Sequence, residues 1–171
     1  AWQWAWFVPQ DVEGLIELMG GNEAFASKLD SLFTADSSVI GENASADISG
    51  LIGQYAHGNE PSHHIIHLYN YVDRPERTQE LVDSVLKEQY RNDFDGLSGN
   101  EDCGQMSAWY VLNALGFYQV CPGKPVYSIG RPWFPHAEVN LPNGKKVVID
   151  VKNFSKDCLL YTSPSPRDTE R

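Results

Sequence analysis

The spacing of the apolar residues changes once along the chain, at Gly116, and that change limits the fold more than any other feature. Before Gly116, apolar positions recur three and four apart, as on one face of a helix. Val12, Leu15, Ile16 and Met19 form the first stripe, over 12–19 behind an Asp11 cap, and Gly20-Gly21 ends it. Asn22 suits the cap of a second helix over 23–33, with Phe25, Leu29, Leu32 and Phe33 apolar. Residues 34–50 read as a polar loop. Pro61 opens a third helix reaching about Tyr71, capped by Asn59 or Glu60 and burying Ile65, Ile66, Leu68, Tyr69 and Val72. Helices over 75–90 and 105–115 follow, the first with a charged, solvated outer face. After Gly116 the texture is extended: 117–120, 126–129, and two strands, 137–141 and 145–151, paired through Pro142-Asn143-Gly144. The expected fold is mainly α with C-terminal β. Helix pairs joined by polar loops fit an α/α barrel, and a helical bundle equally.

Composition narrows the function classes. The chain has 171 residues, 42% of them hydrophobic and 12% aromatic, which suits a packed core. A net charge of −10 argues against nucleic acid or an anionic membrane as partner and fits a neutral ligand or a cation. No apolar run is long enough to span a bilayer. The 3 cysteines make no disulfide framework.

Chemistry concentrates in two stretches. The first, Gly96–Gln105, sets Glu101 and Asp102 between Gly99 and Gly104, just before an apolar helix. Acids there are held by first-turn N–H groups and the helix dipole. The second, Gln54–His64, offers His57, Asn59, Glu60, His63 and His64 as sugar contacts or ligands. Asp93 and Asp95 do not open a calcium loop, because Gly96 falls at the fourth position and such a loop needs glycine at the sixth. His63 and His64 point about 100° apart on a helix, so they are not a zinc pair. Negative neighbours blunt Cys103 as a nucleophile. Trp2, Trp4 and Trp6 share one parity, so an extended segment would place them on one face, as a sugar platform or a core wall.

Three motifs together carry a resemblance. They are Trp-Gln-Trp-x-Trp-Phe-Val-Pro-Gln-Asp-Val from Trp2, His-Gly-Asn-Glu-Pro-Ser-His-His from His57, and Gly-Asn-Glu-Asp-Cys-Gly-Gln-Met-Ser-Ala-Trp-Tyr-Val from Gly99. In this order they resemble glycoside hydrolase family 92, calcium-dependent exo-α-mannosidases that act with inversion. The resemblance implies a β-sandwich joined to an (α/α)6 barrel, with the active site where they meet. Residues 1–116 would then be the C-terminal part of the barrel and 117–157 a β-rich segment. Asp102 matches the family's general base, and Glu101 supports the loop or contacts substrate. Asn100 stands where relatives often have Asp, a departure that removes a charge from that position. Asn59 and Glu60 match the calcium and sugar-hydroxyl shell. His57 faces the +1 sugar in this reading, with His63, Glu60 and Trp2 as further substrate contacts. Gly58 interrupts a His-Glu pair seen in some α-1,2-specific relatives, which leaves linkage open. The general acid is a Glu in a Glu-Gly-Asn segment expected upstream of Ala1.

The expected partners are a mannose-containing glycan (N-glycan or mannan), Ca2+ and the rest of a parent chain. Relatives are periplasmic, extracellular or lipid-anchored. The competing reading is a non-catalytic carbohydrate-binding helical module using Trp2, Trp4, Trp6 and Trp109. Residues 158–171 read as an in-frame translation of a transposase-type sequencing adapter, the alternative being a natural Pro/Ser-rich linker. By this reading the chain alone is inactive and poorly stable, lacking the acid, half of the barrel and the sandwich.

Overall fold

A computed structural model describes residue 2, residues 4–39 and residues 48–155. The proposed adapter-derived tail lies outside these, as does part of the polar loop. The described chain is mainly helical, with three two-stranded antiparallel pairs. The helices are α1 (Val12–Leu18), α2 (Asn22–Thr34), α3 (Pro75–Glu88) and α4 (Gln105–Leu115). The strands are β1 (Leu51–Ile52), β2 (Tyr55–Ala56), β3 (Phe117–Tyr118), β4 (Ser128–Ile129), β5 (His136–Asn140) and β6 (Lys146–Asp150). They pair β1 with β2, β3 with β4 and β5 with β6.

The axis of the fold is the segment expected to be the third α-helix. It forms two pieces of 3₁₀ helix instead, Glu60–Ser62 and Ile65–Val72. Residues 62–69 are all buried, so this segment has no solvent face. It packs against α1, α2, α3 and β4. Contacts on every side, together with the β-branched pair Ile65-Ile66, set the pitch here in place of intrinsic helix propensity. The same core cluster includes Phe25, Leu29 and Leu32 of α2, Val82 and Val85 of α3, and Trp109 of α4.

The helix starts show which capping expectations hold. The Asp11 carboxylate accepts from the Gly14 N–H at 3.1 Å and caps α1 as expected. Asn22 does not cap α2: it is the first helical residue, and Gly21 at φ 93° holds the cap position without a side chain. The N-terminal tryptophans also depart from expectation. Trp4–Trp6 is a turn of 3₁₀ helix, so successive side chains rotate about 120° rather than alternating. Trp6 turns inward, 1% exposed, edge-on to Phe25 at 5.3 Å, while Trp4 is 64% and Trp2 43% exposed. The three rings therefore do not share a face.

The pairing of β5 with β6 follows the turn signal, His136 opposite Asp150 and Asn140 opposite Lys146. The extended stretches expected over 117–120 and 126–129 contain β3 and β4, whose pairing the sequence did not show; the β1–β2 hairpin was not expected at all. The β1–β2 turn lies on the end of α2, where a Cβ on Gly53 would meet the Leu32 carbonyl oxygen at 2.4 Å. The β3–β4 pair brings Ser128 to His67 and Asn70.

Candidate active site

Two loops meet at the start of α4. One runs from β2 through His57, Gly58, Asn59 and Glu60. The other is Ser98–Gly104, leading into α4. Gly58 and Gly99 are their point of contact. A Cβ on Gly99 would sit 2.8 Å from both the Cα and the carbonyl oxygen of Gly58. A Cβ on Gly58 would meet the Ser98 carbonyl oxygen at 2.5 Å. Neither loop can withdraw without moving backbone, so glycine on both sides permits the approach. At Gly99 the space a side chain would need is taken by the neighbouring loop.

The approach joins two acids that are 42 positions apart in the chain, Glu60 and Asp102. A carboxyl–carboxyl hydrogen bond to Glu60 holds the Asp102 carboxyl above its usual range, with desolvation adding to the shift and His63 opposing it. Asp102 is exposed and Glu60 half-buried. The Asp102 backbone is left-handed at φ 50°, and Cys103 (57°) and Gly104 (93°) continue the turn. Two consecutive non-glycine residues in this region store strain of the order of 1 kcal/mol each.

Glu101 has a separate task. Its carboxylate accepts from the Ser107 N–H at 3.2 Å and from the Ser107 hydroxyl at 2.9 Å, within the first turn of α4. Of the two adjacent acids, Glu101 is thus the one held by first-turn donors. Asn100 is exposed on the rim, and Asn59 is half-buried next to Glu60.

Beneath the acids lies a layer of buried rings. His57 is fully buried. The Tyr55 hydroxyl donates to its Nδ1 at 2.8 Å, and its Nε2–H donates to the Tyr90 oxygen at 2.7 Å. Tyr90 in turn donates to the Met106 carbonyl at 3.0 Å, which fixes these directions. Burial, with His63 as a smaller cause, pushes His57 down to about 2. The ring therefore stays neutral, and both its nitrogens face protein. His63 is also buried: its Nε2–H donates to the His57 carbonyl at 2.9 Å, and its Nδ1 faces the Gln105 amide nitrogen at 3.0 Å. Burial pulls His63 down to about 4, with the His57 carbonyl opposing. His64 Nε2 donates to the Trp6 carbonyl at 2.8 Å, and His67 donates to the Asn113 amide oxygen at 2.9 Å.

Of the residues singled out in the sequence, Asn59, Glu60, Asn100, Glu101 and Asp102 come together on these two loops. His57 and His63 form the floor under them, and Trp2 lies with the exposed rings of the N-terminal segment. Gln105 was missed as a participant. The only sequence signal for it was its place at the first position of α4, directly after Gly104. For calcium, the two residues expected to hold it, Glu60 with its carboxylate and Asn59 with its amide, are adjacent and offer oxygen donors of the appropriate kind. The nearby Asp102 carboxyl adds negative charge beside them, which a cation would offset. Among the described residues, no three His, Cys, Asp or Glu side chains form a metal-holding group. These residues would therefore supply part of a coordination shell.

The chain is similar to a family GH92 α-mannosidase from Bacteroides thetaiotaomicron, with 44% identity and a TM-score of 0.79 over 90% of this chain and 19% of that one. The complex of that enzyme with mannoimidazole superposes with a TM-score of 0.82, covering 90% of this chain and 20% of the other. An inverting family GH92 mannosidase from the same organism is 41% identical, with a TM-score of 0.72 over 91% and 22% of the two chains. A curated relative from Arthroderma benhamiae, an uncharacterized secreted glycosidase, is 30% identical over 154 residues, 90% of this chain and 18% of its own length. The chain thus spans about a fifth of the length of the relatives it matches. The model of the glycosyl hydrolase family 92 catalytic domain matches residues 1–163, so the chain belongs to that family.

Proposed function

We propose that this chain is a catalytic segment of an exo-acting α-mannosidase that hydrolyses α-linked mannose in N-glycans or mannans with inversion. The observation that carries the reading is the meeting of two loops at Gly58 and Gly99, which brings Asp102 near Glu60. Asp102 is the general base. It is exposed, so a water can reach it, and its raised proton affinity strengthens it as a base. Inversion requires an acid about 6.5–9.5 Å from the base, with room for that water. The acid belongs to a Glu-Gly-Asn segment outside this sequence. The four helices belong to an (α/α)6 barrel, with residues 117–157 following it.

Glu60 and Asn59 hold calcium in this reading, with substrate hydroxyls and water completing the shell. When bound, the ion supplies a hard cation for the vicinal hydroxyls of mannose. Glu101 fixes the loop that carries Asp102. Asn100, in place of an acid, leaves Asp102 without a second carboxylate from that position. The glycan is neutral, which suits the chain's negative charge.

The test uses a full-length enzyme carrying this segment and an aryl α-mannoside. Asp102→Asn should lower kcat by about 10²–10⁴-fold with little change in KM. NMR of the first product should show the β-anomer, and a chelator should suppress turnover. A wild-type enzyme that binds mannosides without hydrolysing them would favour the binding-module reading. Full turnover by Asp102→Asn would remove Asp102 from the role of base.

A further inference from the structure

We infer that His63 and Gln105 form a clamp that sets the position of Asp102 relative to Glu60. Each lies three residues after one of the two acids. The His63 N–H donates to the Glu60 carbonyl at 3.0 Å, and the Gln105 N–H donates to the Asp102 carbonyl at 3.2 Å. Their side chains then meet across the loops at 3.0 Å. A continuous path of three hydrogen bonds thus runs from the backbone of one acid to the backbone of the other.

The direction of the central bond is determined by its surroundings. The His57 carbonyl can only accept, so His63 Nε2 carries the proton. A neutral ring then leaves Nδ1 as an acceptor, and Gln105 must present its NH2 group to it. The second amide hydrogen points to the Tyr118 hydroxyl at 3.3 Å, which holds the amide in that orientation. Trp109 closes the set by donating its indole N–H to the His63 carbonyl at 3.0 Å. Backbone and ring together, all four polar atoms of His63 are engaged with protein. None is left for a sugar hydroxyl, so His63 is a positioning residue rather than a substrate contact.

The inference rests on the reading of Asp102 as base, and the experiment separates the two. In the full-length enzyme, Gln105→Met keeps the side-chain length and removes the donor. It should lower kcat by about ten- to a hundredfold, the scale of a displacement near 1 Å, with KM little changed. His63→Leu should do the same. His63→Asn, whose amide oxygen can stand near the Nδ1 position, should recover most of that loss. The double variant His63→Leu/Gln105→Met should be no slower than either single one, because both break one link. In an Asp102→Asn background, Gln105→Met should cause no further loss. Wild-type kcat in Gln105→Met would overturn the clamp, as would multiplicative losses in the double variant. A kcat loss tracking a fall in Tm equally in Gln105→Met and His63→Asn would also overturn it, by showing general destabilisation. Full turnover by Asp102→Asn removes the base and the clamp together, whereas an inactive Asp102→Asn beside an unaffected Gln105→Met removes the clamp alone.

Discussion

Gly99 shows how a single hydrogen atom in place of a methyl group can hold a site together. The Cβ that Gly99→Ala would add must lie against the Gly58 backbone, and no side-chain rotation relieves that contact. The loops would have to separate, carrying Asp102 away from Glu60. Gly99→Ala should therefore lower kcat at least about tenfold, even where circular dichroism reports an intact fold. Wild-type turnover in that variant would show that the loop contact is not needed. Glu101 and Asp102 make the complementary point. They are adjacent and chemically alike, yet one holds a helix start and the other faces solvent beside Glu60. Their composition alone makes them equivalent; the left-handed turn beginning at Asp102 separates them.

At the level of elements, α4 is the part that joins site to core. Trp109 anchors it in the ring layer, and its first turn is held by Glu101. Glu101→Ala should cost about 1 kcal/mol, the usual value for losing a capping carboxylate, measured by denaturant unfolding of the full-length protein. Glu101→Gln should recover part of it, because the amide oxygen still accepts. An unchanged midpoint in Glu101→Ala would mean that the first turn is held by other groups. The elements most legible in the sequence were those with one buried face, such as α3 and α4, whose bounds follow the apolar period. The segment 60–72 is not the expected α-helix: its middle, residues 62–69, is buried all round, and a pattern without a polar face carries no pitch. The β1–β2 pair has two residues per strand, too few to show an alternation, and the pairing of β3 with β4 leaves no mark within either stretch.

Across the whole molecule, four buried histidines predict a pH dependence of stability. Burial lowers all of them: His57 to about 2, His63 and His67 to about 4, and His64 below its usual value. In the unfolded chain each titrates near 6.5. As the pH falls below that value, the unfolded state takes up protons that the folded state refuses, so stability falls. The slope is about 1.4 kcal/mol per pH unit for each such ring. His67→Gln removes one of these protons. The stability gap between wild type and His67→Gln should narrow as the pH is lowered from about 7 to about 4.5. A gap that stays constant would mean that His67 is charged in the folded protein. His136 has the opposite sign: its hydrogen bond to Asp150 raises it, so its contribution is present below the unfolded value and fades as the pH rises through the folded one. Leu18, Phe94 and Val111 are exposed along with Trp4. The chain expressed alone should therefore aggregate and bind hydrophobic dyes, and a sharp cooperative thermal transition would contradict this.

By itself, the sequence determined which residue types were available, the change from helical to extended texture at Gly116, the Asp11 cap, the long hairpin and the three motifs that mark the family. These are local properties, set by spacing and by turn chemistry within a few residues. Only the tertiary structure decided that Glu60 lies near Asp102, that Glu101 turns to the helix, that the tryptophans part company, and that His57 and His63 lie buried beneath the acids. The Glu60–Asp102 approach, the burial of Trp6 against Phe25 and the burial of the two histidines depend on contacts between positions far apart in the chain. Two glycines without side chains let the loops touch, and buried carbonyls that can only accept fixed which ring nitrogen carries a proton. No periodicity records such contacts, because they arise from the chain closing on itself.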